Sequence, residues 1–256
     1  MSGPRGKPCR WSSSKYQENH ASLLEKRVKR LKAVILASGG LDSTVTAAMA
    51  REEGFEPYLL TILYGQRHHI EVTRAQEMAA WLGAVEHKVL SLDLGGLGGS
   101  ALTTRDSVPK NRSDEERQIG IPLTYVPARN TIFLSLAVAY AEVLDAACIY
   151  FGANVRDYSG YPDCRPEFLN AFKEVARLGT KAGIEGKGVE IRAPLLFMTK
   201  AEIIKKGTEL GVPFHLTHSC YDPNEQGVAC GQCDSCFIRR SGFKEAGIKD
   251  PIPYRV

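Results

Sequence analysis

Short continuous apolar runs alternate along this chain with stretches whose apolar residues recur every three to four positions. Ala33 to Ala37 (Ala-Val-Ile-Leu-Ala) is uninterrupted and apolar, the form of a strand buried on both faces. Ser43 to Glu53 follows with Val45, Ala48 and Met49 at helical spacing. Phe55 to Tyr64 predicts a second strand, closed by Gly65, and Ile70 to Leu82 a second helix. Glu86 to Leu92 is a third strand candidate, Asn130 to Leu144 a helix, and Ala147 to Phe151 a fourth strand. Pro166 to Leu178 predicts a helix with Pro near its first turn, as helix starts favour. Val189 to Ala193 is a fifth strand, and Thr199 to Leu210 a helix with Thr199 as N-cap. This alternation implies an α/β fold: a parallel five-stranded, Rossmann-like sheet with helices on both faces and right-handed crossovers. Asp93 to Ile119 interrupts it with Gly-Gly-Leu-Gly-Gly and a polar stretch, and reads as a mobile surface loop.

Charge changes the picture only when it is split. The net +4 hides residues 1–32, where nine Lys/Arg stand against two Glu. The remainder holds 24 against 27, or −3, which counts against a large surface tracking the phosphates of nucleic acid. Residues 1–31 read as a basic, flexible extension, 32–212 as the α/β body, and 213–256 as a cysteine-rich segment. No apolar run approaches the roughly 18–20 residues that span a bilayer, and the first thirty residues lack the apolar stretch of a secretory signal. A cytoplasmic setting is expected, with no membrane partner.

Ser38-Gly39-Gly40-Leu41-Asp42-Ser43-Thr44 lies between the first strand and its helix, at the carboxyl edge where doubly wound sheets bind ligands. The glycines permit a tight turn and close approach. The helix N-terminus offers free N–H groups and a positive dipole end to phosphate, and Ser38, Ser43 and Thr44 add hydroxyls. Asp42 is out of place in an anion site unless Mg²⁺ joins it. Neither Gly-x-Gly-x-x-Gly nor a Gly-Lys-Ser/Thr ending is present here, which removes the dinucleotide and Walker A readings.

Cysteines give a second signal. Cys220, Cys230, Cys233 and Cys236 fall within 17 residues. In a cytosolic chain that clustering reads as metal binding, and four thiolates from one short segment suit a closed, structural Zn²⁺ site. Ferredoxin spacing would need another Cys just after Cys236, where Phe237, Ile238 and Arg239 stand. The segment is rich in Gly and polar residues and is expected to bury little core, with the metal folding it. Cys148, inside a strand, reads as core packing.

The Ser-Gly-Gly-x-Asp-Ser string resembles the loop of ATP pyrophosphatases, which cleave ATP between its α and β phosphates. Tyr64-Gly65-Gln66-Arg67, Val126-Pro127-Ala128-Arg129-Asn130, the segment Asp157 to Arg165 and the cysteine cluster follow in order. Together they resemble the 7-cyano-7-deazaguanine synthase family of queuosine and archaeosine biosynthesis, from about Lys32 to the C-terminus. Ala128 stands where glycine is expected. The resemblance implies an adenine nucleotide alpha hydrolase-like fold, ATP as co-substrate, Mg²⁺, and an often dimeric enzyme. It also implies conversion of 7-carboxy-7-deazaguanine and ammonia to the nitrile through adenylated acid and amide.

The expected roles follow the residue types. Leu36 to Thr46, namely Leu36, Ala37, Ser38, Gly39, Gly40, Leu41, Asp42, Ser43, Thr44, Val45 and Thr46, would embrace the phosphates, and Tyr64, Gln66 and Arg67 the adenosine. Asp157 and Asp163 are candidate acceptors for the guanine edge, Tyr158 and Tyr161 faces for the ring, and Arg165 a cation. Arg129 could hold the substrate carboxylate or a phosphate, with Asn130 beside it. Lys200 is implied to contact the leaving pyrophosphate; a solvated helix lysine is the plain alternative. His68 and His69 read as surface groups. Two related chemistries stay open: attachment of the activated deazaguanine to a protein amine, and tRNA thiolation, which would need a reactive thiol such as Cys164. A zinc module without catalysis is a third.

Overall fold

The computed structural model describes residues 30–66, 70–156 and 160–255. Five parallel strands form one sheet: β1 (Lys32–Leu36), β2 (Glu56–Leu63), β3 (Glu86–Ser91), β4 (Cys148–Tyr150) and β5 (Glu190–Arg192), in the order β3-β2-β1-β4-β5. The chain runs outward from β1 to β3, then returns to the other side of β1. That reversal makes a topological switch point between β1 and β4, where such sheets open a ligand crevice.

β1 shows why the sheet is buried on both sides. Val34 and Leu36 point into one core with Leu60 and Ile62, while Ala33 and Ile35 point into another with Leu59. On the first face lie α4 (Arg129–Leu144) and α5 (Pro166–Gly179), on the second α1 (Leu41–Glu52) and α2 (Ile70–Leu82). Two short helices, α3 (Asp114–Gln118) and α6 (Lys181–Ile184), sit in connections. α7 (Lys200–Glu209) packs against the outer side of α1, and α8 (Asp234–Ala246) joins it there through Phe243. Thr199 caps α7 in a capping box with Glu202. No helix among the described residues is long and apolar enough to cross a membrane.

Two expectations change. The stretch after β3 is not a mobile surface loop throughout: Leu94, Leu102 and Val108 are buried in the main core, and Lys110 pairs with Cys233 in an isolated bridge. Its few apolar residues are irregularly spaced, so no period betrays them. The cysteine-rich segment also buries far more than its composition suggests. Residues from Leu31 on form one compact unit, in which Arg239 is 2% exposed and bonded to Asp250, Thr217 and the Phe214 carbonyl. The α8 helix escapes a reading by apolar period because its inward positions include Arg239 and Gly242.

Candidate functional site

The turn after β1 is set by its backbone. Gly39 has φ +74°, and a Cβ there would lie 2.5 Å from the Glu71 carbonyl oxygen and 2.8 Å from the Ala75 nitrogen. Only glycine fits both the left-handed backbone and the contact with α2. Gly40 is the N-cap of α1 and supplies no side-chain cap, so the first-turn amides of α1 have no helical acceptor and face the crevice end. Ser38 and Ser43 close the turn: the Ser38 N–H donates to Ser43 Oγ at 3.2 Å, and their hydroxyls lie 3.1 Å apart. Thr44 donates to the Gly40 carbonyl at 2.8 Å. Val45 faces the α7 core and Thr46 is buried under Gly152 at the end of β4; both support the turn from behind.

This turn borders a cavity of about 230 Å³. Leu36, Ala37, Ser38, Gly40, Leu41, Asp42 and Ser43 line its floor, and Tyr64, Gln66, Arg129, Asn130 and Tyr161 its walls. The Arg129 guanidinium lies 5.8 Å from the ring centroids of both Tyr64 and Phe133, a charge held over apolar faces. Gln66 accepts from the Tyr64 N–H at 2.8 Å and its amide approaches Glu71 at 3.5 Å. Burial pushes the Glu71 carboxyl up to about 7, against the pull of Arg129 and Gln66. The Tyr161 hydroxyl is engaged by Thr124 at 2.9 Å.

Three candidates sit elsewhere. Asp163 is buried and accepts the backbone N–H of Asn130 at 3.0 Å, so it caps the start of α4 and does not line the cavity. Arg165 is exposed at the N-cap of α5. Lys200 is no solvated lysine: at 8% exposure its Nζ meets Asp42 Oδ1 at 2.5 Å, on the side of the turn away from the main cavity. Asp42 therefore has a protein cation as partner and keeps a second oxygen, a donor that suits a magnesium ion shared with phosphate. Arg67, His68, His69, Asp157 and Tyr158 fall outside the described residues. Cys164 is buried, accepts from Asn130 at 3.3 Å, and is pushed up to about 12 by burial, far from the reactive thiolate that thiolation would require.

Sequence reasoning missed Glu71, Phe133, His218, Ser219 and Tyr221, and it placed Cys220 in the metal cluster but not in the cavity wall. The His218 N–H donates to the Gly39 carbonyl at 2.9 Å, and Ser219, Cys220 and Tyr221 line the cavity. Lone residues between helices and cysteines carry no motif, so only the fold brings them in.

Cys220 also belongs to the metal-type cluster. The Sγ atoms of Cys220, Cys230, Cys233 and Cys236 all lie within 4.8 Å of one another and are buried. Cys230 and Cys236 are 4.0 Å apart, near the roughly 3.8 Å edge of a tetrahedron with 2.3 Å Zn–S bonds. Cys233 is the N-cap of α8 and Cys236 lies in its first turn. Backbone N–H groups of Cys230 and Cys233 donate to Cys220 and Cys230 sulfurs at 3.1 and 3.3 Å. In the protein alone, hydrogen bonds from Cys220 and Cys236 drive the Cys233 thiol far down while those two are driven up. Four cysteine sulfurs this close could hold a metal ion, and the donor set fits Zn²⁺.

Comparison with known proteins agrees with this geometry. The chain is 57% identical over 228 residues to the 7-cyano-7-deazaguanine synthase of Desulfatibacillum aliphaticivorans, covering 89% of this chain and 98% of that one. It is 56% identical over 227 residues to that of Myxococcus xanthus, covering 89% and 98%. It is 60% identical over 226 residues to that of Geotalea daltonii, covering 88% and 97%. The family described as Queuosine biosynthesis protein QueC matches residues 32–247, and the chain belongs to that family.

Proposed function

We propose that the enzyme converts 7-carboxy-7-deazaguanine and ammonia to 7-cyano-7-deazaguanine, using two ATP and releasing AMP and pyrophosphate. The observation that carries this reading is the Ser38–Ser43 turn at the switch point, opening on a cavity that also holds Arg129. It is reinforced by relatives at 56 to 60% identity that bear this activity in their names.

A carboxylate resists ammonia because its leaving group would be oxide. Transfer of AMP to that oxygen supplies a better leaving group, and the protein's part is alignment and charge. The amides of the turn and the start of α1 receive the phosphates. Arg129 draws the substrate carboxylate toward the α-phosphorus, and the rings of Tyr64 and Phe133 keep water from the reacting atoms. Lys200 sits behind Asp42, where it offsets negative charge gathered at the turn. Asp42 would hold the magnesium ion that accompanies ATP, which neutralises charge on the departing pyrophosphate. The four cysteines would hold zinc, which fixes the 218–221 wall. No protein nucleophile is needed, and the buried, protonated Cys164 disfavours the thiolation alternative. We place the enzyme in the cytoplasm, where cluster thiols stay reduced, as a homodimer testable by sedimentation.

Incubation with ATP, Mg²⁺, ammonium and the acid should yield the nitrile by mass spectrometry, with two AMP per nitrile. ADP and phosphate in place of AMP would refute the scheme.

A further inference from the structure

The reaction just proposed releases protons at two stages and assigns no group to take them. Ammonium must lose a proton before its nitrogen can attack. When the new C–N bond forms, the C–O bond to AMP breaks, its electron pair leaves on AMP, and the nitrogen sheds a further proton. In the second round the O-adenylated amide loses its N–H protons. The last N–H bond pair becomes the third C–N bond as AMP departs with the C–O pair. A base beside the cavity would serve both stages.

Most groups around the cavity are unsuited. Asp42 is matched by Lys200 at 2.5 Å. Burial pushes both Tyr64 and Cys164 up to about 12, which leaves them protonated at neutral pH. The His218 ring contacts the Cys220 carbonyl at 3.1 Å. Among the described residues lining the cavity, the only carboxyls are Asp42 and Glu71.

Glu71 stands in the first turn of α2, half-buried. Its main chain packs on Gly39, so its position is locked to the phosphate turn. Among the described residues, the groups facing it are Gln66 and Tyr64 after β2 and Arg129 from α4. Arg129 is also the cation assigned to the substrate carboxylate, which puts the reacting carbon and the Glu71 carboxyl in one chamber. Its elevated pKa, about 7, suits a group that must take a proton and then release it to solvent.

We propose that Glu71 is the base that removes these protons, first from the attacking nitrogen and then from the adenylated amide. The inference rests on the function proposed above.

Glu71→Gln and Glu71→Asp test it, with the wild-type protein alongside. Acid-dependent exchange of labelled pyrophosphate into ATP reads the first adenylylation, which needs no base. Amide and nitrile yields across pH 6 to 9 read the later steps. Glu71→Gln should keep exchange within about threefold and slow amide and nitrile formation by about a hundredfold or more. At a fixed concentration of free ammonia its rate should lose the limb that rises through neutral pH, and Glu71→Asp should retain that limb. Nitrile formation by Glu71→Gln at the wild-type rate and pH profile would overturn the inference. So would loss of exchange together with nitrile, which would make Glu71 a support of the turn. Wild-type protein without acid-dependent exchange would instead sink the proposed function, and this inference with it.

Discussion

The glycine turn after β1 and the cysteine cluster are built in opposite ways, though they share a wall. The turn is a backbone object: Gly39 in a left-handed conformation, Gly40 opening a helix, and Ser38 bonded to Ser43 hold it with no ion required. The cluster is a charge object: four buried cysteine sulfurs lie within 4.8 Å of one another, a set that could hold a metal ion. A turn made by steric fit fails when a Cβ is added, whereas a cluster made by charge fails when a ligand is lost. They meet at 218–220, where His218 bonds Gly39 and Cys220 serves both cavity and cluster. The coupling therefore has a direction. Loss of metal should reach the turn, and damage to the turn should leave the metal in place.

The largest effect should come from Cys233→Ser. This residue carries one of the four sulfurs at the N-cap position of α8, where its side chain makes no cap bond, so its loss should empty the site and cost on the order of 4 kcal/mol, about 10 °C in Tm. Zinc content by atomic absorption should fall to near zero, and ATP affinity by calorimetry should fall with it as the 218–220 wall loosens. Full zinc content would break the four-sulfur assignment. Lost zinc with unchanged ATP affinity would break the coupling.

Gly39→Ala probes the other direction with a smaller stability cost. The left-handed backbone alone costs about 1–2 kcal/mol with a Cβ present, and the 2.5 Å approach to the Glu71 carbonyl adds to it. ATP binding should be lost while zinc stoichiometry stays at the wild-type value. A variant that lost zinc as well would show the two regions to be one cooperative unit, and the distinction between them would fall.

What could be read in advance follows the same divide. The strands and the flanking helices announced themselves through apolar period, and the turn and the cysteines through residues adjacent in sequence. Part of the cavity wall was legible too, in Tyr64, Gln66, Arg129, Asn130 and Tyr161, whereas Glu71, Phe133, His218, Ser219 and Tyr221 were not, because they depend on contacts across the fold. Asp163 looked like a ligand acceptor and is spent on the Asn130 amide. Lys200 read either as a contact to the leaving pyrophosphate or as a solvated helix lysine, and is buried against Asp42, 158 residues away. Glu71 carried no motif of its own and enters only because Gly39 brings α2 against the turn. The loop after β3 hid its anchors, Leu94, Leu102 and Val108, among glycines and charges.

The smallest effect sharpens the idea that backbone geometry governs the nucleotide side. Ala128 precedes Arg129 in a left-handed conformation, φ 53° and ψ 20°, at the position where glycine was expected from the motif. An alanine there carries about 1–2 kcal/mol of strain, while glycine would add roughly 0.5–1 kcal/mol of entropy lost on folding. Ala128→Gly should therefore raise stability by about 0.5–1 kcal/mol, read as a shift of roughly 2 °C in Tm, with zinc content unchanged. The Ala128 N–H donates to the Tyr125 hydroxyl at 3.0 Å, a bond that glycine keeps, so the start of α4 and the aim of Arg129 should be preserved. A drop in stability would mean that the alanine methyl makes a contact worth more than the strain, and that side-chain packing, not backbone conformation, sets this end of the cavity.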